Sequence, residues 1–239
     1  MLVTGGSRGI GRGLAIAIAR SGMDVIVTGR DRAALQEACA EIGERARAEV
    51  LDAGHTDEAV RRIRAIDEEV GGLDMIIANA GVGMPDPAMT PYAWEAMAGA
   101  LHVNLCGAAA TLTAALPAMV ARGRGHLVGI SSLAAFGALP GAAAYCAPKA
   151  GLDMLLECLR MDLAGTGVAV TRVSLGFVKT RMTERSTHPM PQRMDAEDAA
   201  KKIVRALKRR PSSIVLPRAL GAATKAFSFL PSSLRAKLL

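Results

Sequence analysis

Three side chains carry the clearest chemical signal in this chain: Ser132, Tyr145 and Lys149, spaced Ser-x12-Tyr-x3-Lys. A tyrosine and a lysine four residues apart share one face of a helix. A free phenol titrates near pH 10, too high for proton exchange at neutral pH, and lowering it by about three units takes roughly 4 kcal/mol. An adjacent ammonium, joined by a second positive charge in a site sheltered from water, can supply that much. The pair therefore suits acid–base work at an oxygen. In isolation Y-x-x-x-K is more often a surface hydrogen bond, but the chain has only two tyrosines and this one lies downstream of a nucleotide-type loop.

That loop reads Thr4-Gly5-Gly6-Ser7-Arg8-Gly9-Ile10-Gly11, immediately after an apolar run and at the start of a helical pattern. Its glycines permit a tight turn and let a pyrophosphate reach backbone amides at a helix N-terminus. Gly5, Ser7, Arg8, Gly9, Ile10 and Gly11 are thus candidate cofactor-binding residues. A nucleotide unit selective for NAD places a carboxylate at the end of the second strand; here that end reads Thr28-Gly29-Arg30. Glycine leaves room for a 2′-phosphate and Arg30 can pair with it, with Arg8 as a second cation, so NADP(H) is expected in preference to NAD(H). Asp31 is better placed as the N-cap of the following helix.

To position these groups the chain must build a βαβ series, and its pattern does so. Short β-branched runs predict strands at 1–4, 24–28, 48–51, 75–78, 125–131, 169–174 and 214–216. They alternate with helical segments at 11–21, 31–46, 56–70, 93–121, 148–164 and 195–209. The expected fold is α/β: a Rossmann-like, doubly wound, parallel seven-stranded sheet in one domain over residues 1–217, with 177–194 as a substrate loop. Residues 218–239 form a basic amphipathic extension. Ser132 then falls at the carboxyl end of a strand, where such folds bind ligands.

Composition excludes several other classes. The net charge of +7 divides into 16 basic and 18 acidic side chains up to residue 180 and 13 against 4 beyond it. With few aromatics and no binding motif, nucleic acid is not an expected partner. Four scattered cysteines and four dispersed histidines give neither a metal site nor a disulfide framework, and the N-terminus lacks signal-peptide features, so a cytoplasmic location is expected. The uncharged stretch Val103 to Ala121 could span a bilayer by length, but its alanines, Asn104 and Pro117 fit a helix packed inside a soluble protein or against a twin subunit.

Taken in order, these motifs resemble the short-chain dehydrogenase/reductase family over nearly the whole chain to about residue 217. The markers are the TGxxxGxG loop; Asp52 after the third strand; Asn79-Ala80-Gly81 after the fourth; Asn104; then Ser132, Tyr145 and Lys149. The resemblance implies that Asp52 contacts the adenine amino group and that Asn104 shapes a helix kink holding a water in a proton relay that ends at Lys149. It also implies that Ser132 steadies the substrate oxygen, Tyr145 is the general acid or base and Lys149 holds the nicotinamide ribose. Two departures stand out. The family's N-N-A-G is Ala78-Asn79-Ala80-Gly81, and its P-G-x-V-x-T is Leu175-Gly176-Phe177-Val178-Lys179-Thr180, so the contacts of Val178 and Thr180 with the nicotinamide are the least secure to carry over.

The expected activity is interconversion of a ketone or aldehyde and an alcohol by hydride transfer with NADP(H). The rival from another class is a non-catalytic NADP(H)-binding sensor or scaffold. Met84, Trp94, Phe136, Leu139, Phe177, Met182, Met190 and Met194 suit an apolar, lipid-like substrate, or equally a methionine-rich lid over the nicotinamide. The tail repeats Leu220, Ala223, Phe227 and Leu230, then Leu234, Leu238 and Leu239 beyond Pro231, with Lys225, Arg235 and Lys237 interspersed. Such a segment can make a peripheral contact with an anionic membrane, or pack over the lid or a partner subunit. The resemblance also implies a homodimer or homotetramer built on the helices after Asn104 and around Lys149.

Overall fold

A computed structural model describes residues 1–83, 93–184 and 190–238. The first half alternates β1 (Leu2–Val3), α1 (Gly9–Arg20), β2 (Val25–Gly29), α2 (Arg32–Ile42), β3 (Ala46–Val50), α3 (Thr56–Glu69) and β4 (Ile76–Ala78). A broken helical stretch follows, made of α4 (Trp94–Leu101), a π-helical turn (His102–Gly107), α5 (Ala108–Thr113) and α6 (Leu116–Ala121). Beyond it come β5 (Gly125–Ser132), a 3₁₀ turn (Leu133–Ala135), α7 (Ala143–Asp162) and β6 (Val168–Leu175). The chain closes with β7 (Val178–Lys179), α8 (Arg181–Glu184), β8 (Met194–Asp195), α9 (Ala196–Leu207), β9 (Ser213–Leu216), α10 (Arg218–Ser228) and α11 (Ser232–Leu238).

Seven of these strands form one parallel sheet in the order β3-β2-β1-β4-β5-β6-β9. The order reverses between β1 and β4, so the loops leaving these two strands diverge and open a crevice at their carboxyl ends. Both faces of the sheet are covered, which is why its inner strands β1, β2 and β4 are apolar runs, whereas the edge strand β3 alternates with the exposed Arg47 and the charged Glu49. On one face Leu2, Ile76 and Leu127 pack with Ile63 and Ile66 of α3, Leu112 of α5 and Leu156 of α7. On the other, Val3, Val27, Ile77, Val128 and Val173 meet Leu14 and Ile18 of α1 and Ile203 and Val204 of α9. The stretch 97–121 is long and apolar enough to cross a membrane. Its Ala108, Leu112, Ala114, Ala115 and Met119 are nevertheless buried in the first of these clusters, as a core helix requires.

Several element boundaries differ from the sequence reading, each for a local reason. The helix expected over 31–46 stops at Ile42 because Gly43 takes a φ of 90°, outside the helical region, which lets β3 begin at Ala46. The helix expected over 93–121 is interrupted by the π-turn around Asn104 and by a break before Leu116. The helix expected over 148–164 begins at Ala143 and contains Pro148, so Tyr145 and Lys149 both lie inside it. Leu175, standing where the family has proline, keeps an N–H and is enrolled in β6 between Ser132 and Leu216. The 177–194 loop is closed by an unforeseen two-stranded ladder, Val178 pairing with Met194, and by a Lys179–Asp195 ion pair at 2.9 Å.

The C-terminal extension folds back on the chain. Gly221 of α10 lies so close to β9 that a Cβ would come within 2.2 Å of Val215 Cγ1, and the loop at Gly137 abuts Ser228 and Arg235. Phe229 and Leu238 stay exposed beside Lys225 and Lys237.

Candidate active site

Helix α1 starts with nothing to neutralise it. Arg8 at its N-cap makes no side-chain cap, and no acidic residue lies in its first turn. Its free N–H groups and positive dipole end therefore open into the crevice, where an anion would be stabilised. The glycines give the required close approach: Gly5 and Gly9 have φ of 63° and 56°, and a Cβ on Gly11 would come within 2.2 Å of the Gly5 carbonyl oxygen. Asn79 fastens this loop to the end of β4, its Nδ2 donating to the carbonyls of Thr4 (2.9 Å) and Gly5 (3.1 Å). The Thr4 hydroxyl accepts from the N–H groups of Asn79 and Ala80 in return. One asparagine at this position thus suffices to tie the two loops together.

Gly5, Arg8, Gly9, Ile10, Gly11, Asn79, Ala80, Gly81, Ser132, Tyr145, Lys149, Val178 and Thr180, all singled out in the sequence, line one cleft. Thr180 sits against Gly9, where a Cβ would meet its methyl at 3.1 Å. Among the described residues the lining contains three cations, Arg8, Lys149 and Arg181, and no carboxylate. This suits an anionic dinucleotide.

Four expected residues stand apart from the cleft wall. Ser7 packs under Gly29, whose missing Cβ would lie 3.2 Å from the serine oxygen. Arg30 is largely exposed, its guanidinium 3.8 Å from the Asp52 carboxylate, and Asp52 also accepts from the Gly54 N–H at 2.8 Å. Arg8 pairs with Asp31 at 2.6 Å, while Asp31 caps α2 by accepting from the Ala34 N–H at 3.1 Å. A 2′-phosphate beside Gly29 would therefore find Arg30 outside any short hydrogen bond and Arg8 shared with Asp31. Asn104 is fully buried in the π-turn. It accepts from the Val82 N–H (2.8 Å) and donates to the Val82 carbonyl (3.0 Å), fixing the segment that follows Gly81. The helical stretch is thus interrupted by a π-turn at the residue where the resemblance implies a kink.

At the other end of the cleft, β5 ends in Ser132 and α7 presents Tyr145 and Lys149 on successive turns. Burial pushes the Tyr145 phenol above its ordinary value, the nearby Ser132 hydroxyl opposes the rise and Cys146 adds to it. Burial lowers the Lys149 ammonium to about 8, against the attraction of Asp153. Lys149 Nζ donates to the Ile130 carbonyl at 2.9 Å and stands 5.8 Å from the Tyr145 ring centre. The sequence reading missed Val82, Arg181 and Thr183 in the cleft wall. Arg181 and Thr183 follow the Val178–Thr180 segment directly, the one signal that could have found them. Met84 lies outside the described residues, as does the middle of the 177–194 loop.

Residues 1–191 match the short chain dehydrogenase family. The chain belongs to that family. An uncharacterized oxidoreductase of Myxococcus xanthus is 44% identical over 236 residues, 98% of this chain and 93% of its own length. A short-chain dehydrogenase from Streptomyces avermitilis superposes with a TM-score of 0.83 at 28% identity, covering 99% of this chain and 94% of that one. A metagenomic short-chain oxidoreductase in complex with NADP superposes with a TM-score of 0.75 at 30% identity, covering 90% and 94%. This short-chain dehydrogenase is accordingly an oxidoreductase acting between CH–OH and C=O groups with a nicotinamide cofactor.

Proposed function

We propose that the protein is an NADP(H)-dependent oxidoreductase that interconverts a ketone or aldehyde and an alcohol, with Tyr145 as general acid and base. The observation that carries this reading is the convergence of Ser132, Tyr145 and Lys149 on one end of a cleft whose other end is the uncapped, glycine-lined start of α1. The nicotinamide cofactor supplies or accepts the hydride when bound. In this reading Gly5, Gly9, Ile10 and Gly11 hold its pyrophosphate, Asp52 its adenine, and Asn79, Ala80, Gly81, Val178 and Thr180 its inner half.

The rest is work for side chains of the chain. A buried phenol held above its ordinary pKa keeps its proton at neutral pH, which is the state a proton donor to a carbonyl oxygen needs. The Ser132 hydroxyl, which lines the same cleft and accepts from the Ala134 N–H at 3.1 Å, can donate to the same substrate oxygen. Lys149 brings positive charge behind the phenol, favouring the phenolate left after proton transfer. Preference for NADP(H) rests on Gly29, Arg30 and Arg8 and on the absence of a carboxylate aimed at the crevice from the end of β2, since Asp31 is engaged by α2 and Arg8. The NADP complex of the metagenomic relative supports the same choice.

Met182 folds over Gly83, where a Cβ would come within 2.7 Å of its Cγ, and with Val82 it gives the open side of the cleft an apolar wall. This supports an apolar substrate. Met154 and Met161 on the outer face of α7 are strongly exposed, which supports a homo-oligomer assembled through that helix.

The test is Tyr145→Phe. It should abolish NADPH consumption with a panel of reactive ketones and diketones while NADPH binding, followed by cofactor fluorescence, persists. Unchanged turnover would refute the assignment.

A further inference from the structure

Behind Lys149, on the side away from the cleft, lies a second charged layer that the reaction as described does not use. Asp153 is one helical turn beyond Lys149 on α7, with its side chain almost wholly covered, and it pairs at 3.2 Å with Arg172 of β6. Ser131 of β5 stands beside Asp153, its hydroxyl donating to the Lys149 carbonyl at 3.5 Å. Burial pushes the Asp153 carboxyl above its ordinary value, and Ser131, Arg172 and Lys149 oppose the rise. Arg172 reaches Ser213 of β9 at 3.4 Å and carries the Phe136 ring 5.7 Å from its guanidinium carbon, so the pair is roofed by the loop that follows the catalytic-site serine. Asp153 Oδ1 and Arg172 Nε are buried without a hydrogen-bond partner. A buried carboxylate with an unmatched oxygen is costly to keep. Its retention one turn from a buried ammonium calls for an electrostatic account.

We propose that Asp153, held by Arg172 one helical turn from Lys149, is a positioning residue that keeps Lys149 positively charged inside the protein. The ionisable groups around Lys149 make Asp153 the only described side chain that can do so. On α7 itself the neighbours are Tyr145 and Cys146, neutral at physiological pH. β5 offers the Ile130 carbonyl and the hydroxyls of Ser131 and Ser132. Across the cleft stand Arg8 and Arg181, which repel the ammonium. On the packed helical side, His102 of the π-turn is taken by the Gly54 carbonyl, and Glu95 of α4 is exposed. Burial favours the neutral amine, and Asp153 is the charge that opposes it.

The proposal rests on Lys149 lying in the active site but not on the substrate assigned above, and it is tested in the ligand-free enzyme. Lysine labelled with 13C at the ε-carbon is followed by NMR through a pH titration. The chain has seven lysines, and the Lys149 resonance is assigned by its loss in Lys149→Met. In Asp153→Asn the Lys149 midpoint should fall by about one pH unit or more, the effect expected from removing an adjacent opposite charge. Asp153→Asn leaves Arg172 unpaired and could prevent folding. The double variant Asp153→Asn/Arg172→Met removes both charges and should show a downward shift of the same sign, because the nearer charge dominates. A Lys149 midpoint equal to that of the wild type in the folded double variant overturns the proposal. Failure of the carbonyl-reductase reading would show instead as absent turnover with the lysine titration unaffected.

Discussion

Lys149 should make the ligand-free enzyme less stable, and the cost can be worked from its burial. Its ammonium titrates at about 8 against 10.5 for a free lysine. The difference of about 2.5 units corresponds to roughly 3 kcal/mol by which the fold disfavours the charge. Replacing Lys149 by methionine keeps the length of the apolar stem and removes the charge, but it also removes the 2.9 Å bond to the Ile130 carbonyl, worth about 1 kcal/mol. Lys149→Met should therefore be more stable than the wild type by about 2 kcal/mol at neutral pH, roughly 4–8 °C in Tm for a chain of this size. Below the folded value the lysine is charged in both states and the full penalty applies. Between about 8 and 10.5 the unfolded chain binds the extra proton, so wild-type stability rises with pH and its deficit against Lys149→Met closes. Urea unfolding of both proteins without cofactor, at pH 7 and at about pH 9.5, measures the gap. A methionine variant less stable than the wild type at pH 7, or a gap that does not change with pH, would refute the reasoning. The same variant should lack activity, which would make this lysine a case of stability given up for function.

Two further outcomes follow from other parts of the structure. Arg30→Ala should weaken NADPH binding by roughly 10- to 100-fold, the loss of one charge-assisted contact of about 1.5–3 kcal/mol, and leave NADH within about threefold, as read by fluorescence titration of both cofactors; equal losses would remove Arg30 from the 2′-phosphate site. Asp67→Ala should destabilise the fold by about 3 kcal/mol in urea unfolding without changing cofactor affinity. That carboxylate is buried, accepts both Arg122 nitrogens at 2.7 and 2.9 Å and the Leu73 N–H at 2.6 Å, and lies far along α3 from the cleft.

The sequence by itself determined the family, the succession of strands and helices along the chain and most of the residues that line the cleft. These rest on short-range physics: apolar runs that must be buried on both faces, glycines required by a tight turn, and a Tyr-x3-Lys pair held by one helix. What lay beyond it depends on contacts between distant segments. The break in the helix around Asn104 is tied to Val82, more than twenty residues away, and no local propensity signals it. The ladder of β7 and β8 is too short to leave a periodic trace and forms because the 177–194 loop must return to the start of α9. Arg8 looked like a cation awaiting a phosphate, yet the fold brings Asp31 against it across 23 positions. Asp153 and Arg172 carried no motif at all. They acquire meaning because α7 crosses β6 where it does, burying opposite charges behind Lys149, in surroundings that only the packed tertiary structure creates.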